Sequence, residues 1–193
     1  MKPRTRARGV ALQVLYEIDI VGHPLGVVIE ERLADEDLDS TLADFTRLIV
    51  QGVWPMVSTL DRYIAQHAPE WPVDQVAIVD RNILRIALWE FAVYRKTPIK
   101  VAINEAVELA KEFGSDSTPR FVNGVLGSLA NHQNEIQQAL KPFAASGQNR
   151  PPNVEAPETA PDEDYASEVD ADEGSADETH AAEVRPDPDH PEN

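Results

Sequence analysis

The chain contains no cysteine. Disulfides, thiolate nucleophiles and cysteine-based zinc sites are therefore excluded, and the absence fits a reducing cytoplasm. Long apolar runs are missing too, since no stretch approaches the roughly 18 residues that a membrane span needs. Residues 1–8 carry the positive flank of a signal peptide. The apolar stretch at 10–20 is interrupted by Gln13, Glu17 and Asp19, so it makes no hydrophobic signal core. These absences predict a soluble, cytoplasmic protein without a membrane partner. No segment alternates polar and apolar residues between turn signals as a half-buried strand would, and there is no P-loop, dinucleotide fingerprint or Gly-x-Ser-x-Gly. The sequence therefore offers no enzyme, and nothing in it implies a cofactor.

Positive charge is scarce, with 17 Lys and Arg against 34 Asp and Glu. The imbalance is uneven. From residue 151 onward 15 acidic residues face only Arg185, a net of −14, whereas the first 150 residues hold 16 basic and 19 acidic groups, a net of −3. The pI of about 4.5 thus describes the end of the chain, and a local basic patch elsewhere is compatible with it. The 193 residues suit one compact domain plus an appendage. The expected division is a helical domain over 1–142, with subdomains at about 1–68 and 72–142, and a tail over 143–193. From 146 on, Pro, Ala, Glu and Asp dominate, a composition that cannot bury enough surface to offset its ordering entropy, so disorder is expected.

The rest reads as helices. The first spans about 4–21, with Ala7, Val10, Ala11, Val14, Leu15 and Ile18 on one face and Gly22 and Pro24 ending it. A second covers about 25–34 and buries Val28, Ile29 and Leu33. After the acidic run at 35–39, Asp39 or Ser40 caps a long third helix to about 67, its inward residues including Phe45, Ile49, Val53, Leu60 and Ile64. Pro55 lies inside that helix and should kink it. Residues 68–72 form a joint. A strongly apolar helix at about 76–96 follows, on which Asp80 and Arg81 stand out as charges. Thr97 with Pro98, and Thr118 with Pro119, read as start signals for helices ending at Gly114 and at about 140. Gly124 and Gly127 inside the last helix suggest close helix packing. The architecture expected is all-α, two three-helix-type bundles packed on each other.

Chemistry is sparse. The histidines His23, His67, His132, His180 and His190 are scattered, with no metal-ligand spacing. Glu105, Glu108 and Glu112 line one helix face and read as ordinary solvation. The first helix differs. Lys2, Arg4, Arg6 and Arg8 concentrate charge at its first turn, where arginine can fork onto phosphate and the amides favour anions. Tyr16 falls off the apolar stripe, as a ring that stacks on an unpaired base would. The alternative at this level is that the arginines solubilise a frayed end and Tyr16 packs between the bundles.

As a set, these residues resemble the NusB family of bacterial transcription antitermination factors. The match runs from the basic helix ending in Leu15 and Tyr16 to Ile-Leu-Arg-Ile-Ala-Leu-Trp-Glu at 83–90. It continues through Pro-Ile-Lys-Val-Ala-Ile-Asn-Glu-Ala-Val-Glu-Leu-Ala-Lys at 98–111, Phe113 and Gly114, and ends with Phe-Val-Asn-Gly-Val-Leu at 121–126, in family order over roughly 2–140. The resemblance implies two packed bundles, binding with NusE, a small-subunit ribosomal protein, to the boxA RNA of ribosomal RNA leaders, and assembly with other Nus factors on RNA polymerase. By position it assigns Lys2, Arg4, Arg6, Arg8, Tyr16, Arg120 and Phe121 to RNA, and Asp80 and Arg81 to NusE. The arginines are sparser than in some members, and the acidic tail is no part of the family pattern. A related helical domain also occurs fused to RNA cytosine methyltransferases, but no βα pattern follows residue 140. A protein-only scaffold or dimer is the remaining alternative.

Overall fold

Gly22 ends the first helix because its backbone adopts φ 71°, the left-handed conformation that only glycine takes without strain, and its N–H reaches back to the Ile18 carbonyl at 3.0 Å. In the computed structural model, which describes residues 1–67 and 75–145, this helix is α1 (Pro3–Val21). It is followed by α2 (Leu25–Asp35), α3 (Ser40–Val53), α4 (Val57–His67), α5 (Ile78–Trp89), α6 (Ile99–Phe113), α7 (Thr118–Asn131) and α8 (Gln133–Ala145). The described residues are all-helical, with no strand among them. The expected joint at 68–72 and the tail from 146 lie outside the described residues.

Several local expectations hold and several change. Asp39 is the cap of α3, its Oδ1 accepting from the Leu42 N–H at 2.9 Å. Pro55 does more than kink the third helix. A single 3₁₀ turn, Trp54–Met56, separates α3 from α4, because proline supplies no N–H to continue the ladder. The last helix divides at His132, whose N–H bonds the Leu129 carbonyl at 3.1 Å and whose carbonyl restarts the ladder at Ile136. Neither threonine start signal works as a cap. Thr97 is buried and donates to Glu90 Oε1 at 2.9 Å, so α6 opens on Pro98 and Ile99. Thr118 is the first residue of α7, and its hydroxyl turns back to accept from the Ser115 N–H at 2.9 Å.

The glycine expectation is also corrected. A Cβ added at Gly124 or Gly127 meets nothing within 4 Å, so close packing does not explain them. The close approaches are elsewhere. At Gly9 a Cβ would stand 3.2 Å from the Phe113 ring, and at Gly114 it would stand 2.5 Å from the Thr118 side chain.

One core runs from Ala11 to Leu140 through both halves. α5 is its centre and packs on α1, α3, α4, α6 and α7. It is buried on every side from Asn82 to Trp89, and the burial continues through Glu90, Phe91, Ala92 and Val93 in a wider π turn, Glu90–Tyr94, that Arg95 ends at φ 60°. A helix buried all round must satisfy its polar residues internally. Arg85 does so with Asp61 of α4, its Nε donating at 2.7 Å, and with Asp19 of α1, to which Asn82 also donates at 2.9 Å. Burial opposes the charge on Arg85, but Asp61 and Asp19 outweigh it and hold its pKa above the ordinary value. These ion pairs fix α1 and α4 against α5.

Candidate nucleic-acid interface

The basic first turn of α1 is anchored from below. Arg8 was expected at the RNA surface with Arg4 and Arg6, but the structure buries it, with 3% of its side chain exposed. Its Nε and Nη2 donate to the two carboxylate oxygens of Glu90 at 2.8 and 2.9 Å, and its Nη1 donates to Glu105 at 2.9 Å. Thr5 donates to the same Glu105 oxygen at 2.8 Å. Burial works against the guanidinium charge, and Glu90 followed by Glu105 overcomes it, raising the pKa of Arg8. Arg8 is therefore a structural clamp joining α1, the end of α5 and α6. Glu105 is likewise no solvated face residue, being only 14% exposed.

The other two arginines stay outside. Arg4 is exposed, its guanidinium carbon 5.4 Å from the centroid of the Phe45 ring. Arg8 approaches the same ring at 5.1 Å, so Phe45 of α3 supports the two arginines that share a helix face. Arg6 points away from that face and is held by the loop after α2, its Nη2 2.8 Å from Glu36 Oε2 and its Nη1 donating to the Asp37 carbonyl at 3.0 Å. Lys2 is exposed at the helix start.

Tyr16 is 40% exposed, although Val14, Leu15 and Ile18 around it are buried. It lies seven residues after Gly9 on the same face, about 10 Å further along the axis, and Gly9 is where α1 meets Phe113 at the end of α6. Beyond that end, Arg120 is exposed and Phe121 is half-buried against the core. Asp80, assigned to the protein partner, reaches this segment, since both of its carboxylate oxygens lie within 3.2 Å of the Thr118 hydroxyl, which donates to them. Burial raises the Asp80 pKa, and the Thr118 bond partly offsets the rise. Arg81 stands beside it, half-buried. The structure thus brings Asp80 to the start of the helix that carries Arg120 and Phe121, leaves Arg4 and Tyr16 exposed on α1, and withdraws Arg8.

Comparison with known proteins identifies the family. A family model described as the NusB family matches residues 5–131. The transcription antitermination protein NusB of Chloroflexus aggregans is 53% identical over 128 residues, covering 65% of this chain and 85% of that protein. Its counterpart in Bacillus subtilis is 42% identical over 139 residues, covering 72% and 100%. Among solved structures, T. maritima NusB gives a TM-score of 0.63 at 30% identity, over 72% of this chain and 99% of that one. The antitermination factor NusB crystallised with NusE and dsRNA gives 0.60 at 24% identity over 72% and 98%, a likeness of fold. A match over 5–131 at this level of identity places the chain in the NusB family, a family of transcription antitermination proteins and not of enzymes.

Proposed function

We propose that the protein binds boxA-type RNA of ribosomal RNA leaders together with NusE, and so promotes transcription of those operons in the cytoplasm with other Nus factors and RNA polymerase. The observation that carries the reading is the exposure of Arg4 and Tyr16 on α1, a helix otherwise buried from Ala7 to Leu15 apart from Gln13. Arginine and an exposed ring on a rigid helix supply the two elements of single-strand recognition, phosphate neutralisation and base stacking. Lys2, Arg6, Arg120 and Phe121 are the further proposed RNA contacts, and Asp80 with Arg81 is the proposed NusE contact. Arg8, buried against its carboxylate partners, is left out of the proposed RNA set.

Filter binding with a boxA-type RNA against a scrambled one, with and without NusE, tests the reading. Arg4→Ala should weaken binding and flatten its salt dependence by up to about 0.7 for the lost contact. Tyr16→Ala should lower affinity with the slope unchanged, since stacking releases few counterions. Failure to bind either RNA, with or without NusE, would favour the alternative, a protein-only scaffold.

A further inference from the structure

The arginines of α1 differ most in what holds them. Arg8 is sealed inside the protein and Arg4 lies over an aromatic ring, but Arg6 is already bound to an anion that the protein supplies itself. We infer that Glu36 sets the RNA affinity of α1 by occupying Arg6 in an internal ion pair that an RNA phosphate must displace. The inference rests on the proposed RNA binding and adds to it a residue the resemblance does not assign.

The geometry is that of a phosphate contact. A single carboxylate oxygen of Glu36 faces both Nη2 and Nε of Arg6, at 2.8 and 3.3 Å, while the Asp37 carbonyl takes Nη1 at 3.0 Å. All three guanidinium nitrogens are thus engaged by oxygens of the loop, acceptors that a phosphate can replace. The pair is accessible, with Arg6 43% and Glu36 28% exposed, so a nucleic acid can reach it. The loop is also held in place. Leu38 N–H bonds the Glu36 carbonyl at 2.9 Å, Asp39 is committed to the cap of α3, and Thr46 of α3 donates to the Ala7 carbonyl at 3.1 Å, beside Arg6 on α1. Asp35, Asp37 and Asp39 flank Glu36 in sequence and add negative charge to the same stretch. An exposed ion pair contributes little to folding, so exchange of Glu36 for a phosphate leaves the fold intact.

The test compares the full chain with its Glu36→Gln variant for binding to a boxA-type single-stranded RNA over a series of salt concentrations. The amide keeps the shape and removes the charge. The variant should bind roughly three- to fivefold tighter at low salt, with the gain shrinking as salt rises, and its salt slope should steepen by up to about 0.7. Arg6→Ala alone should change affinity by less than about twofold, yet abolish the whole gain when added to Glu36→Gln, a coupling that a merely structural role would not produce. Unchanged or weaker binding by Glu36→Gln, with the parent chain binding the RNA normally, overturns the inference alone. Failure of both proteins to bind RNA overturns the proposed function and the inference with it.

Discussion

A buried arginine is tolerated only where carboxylates meet it, and Arg8 has two, Glu90 and Glu105, at 2.8 and 2.9 Å. Removing it strands Glu90 in the core, where Thr97 still donates to it. Arg8→Ala should therefore destabilise the fold by roughly 3–5 kcal/mol and lower Tm by on the order of 10 °C, read by thermal or urea unfolding. A change of only a degree or two would show that the site rehydrates and the clamp is weak. The sequence alone groups Arg8 with Arg4 and Arg6 because all three stand in one short basic stretch. The contrary signal lies about eighty residues away. Glu90 is a lone carboxylate inside the apolar run 86–93, and such a group demands a buried cation. Sequence can state that demand without saying which arginine meets it. Arg6 was equally hard to read, because its partner Glu36 belongs to an acidic loop that looks like simple solvation.

At the scale of elements, apolar periodicity located most helices, but their ends depend on tertiary contacts. Asp39 caps α3 as its residue type suggests, whereas Thr97 and Thr118 surrender their hydroxyls to Glu90 and Asp80 across the fold. At the division between α7 and α8 two scattered histidines meet. The rings of His67, ending α4, and His132, between α7 and α8, have centroids 4.6 Å apart. Burial lowers the His67 pKa from its ordinary 6.5, the nearby His132 lowers it further, and Glu135 opposes the shift. Glu135 lies 3.7 Å from His132 Nδ1. The unfolded chain therefore takes up the proton at a higher pH than the folded one. The stability that this site contributes is complete above the unfolded value and declines as pH falls through it. Between about pH 7.5 and pH 5.5, Tm of the parent chain should fall more than that of His67→Gln, a range chosen around the histidine titration. Parallel pH profiles of the two proteins would contradict this account.

For the molecule as a whole, the all-α architecture was legible because apolar spacing recurs along most of residues 4–140. The sharing of one core between the two halves was not, since it depends on the long-range pairs of Arg85 with Asp19 and Asp61 and of Arg8 with Glu90. The charge distribution remains the largest unmatched feature. The first 150 residues carry a net of −3 and the remainder −14. The buried hydrophobic residues among those described run from Ala7 to Leu140. A chain ending at residue 150 should therefore keep its Tm within a degree or two, because the removed composition has almost no apolar surface to contribute. Its RNA affinity tests electrostatics at a different range from Glu36. That carboxylate acts on Arg6 by direct contact, at 2.8 Å. Charges that act through solvent do so over a Debye length of about 30 Å at 0.01 M salt and about 8 Å at physiological strength. If the acidic segment competes with RNA for α1, truncation tightens binding at low salt and the difference vanishes near physiological salt. We expect equal affinity in both regimes, with the acidic residues serving solubility, and filter binding of the two chains at both salt concentrations decides between these outcomes.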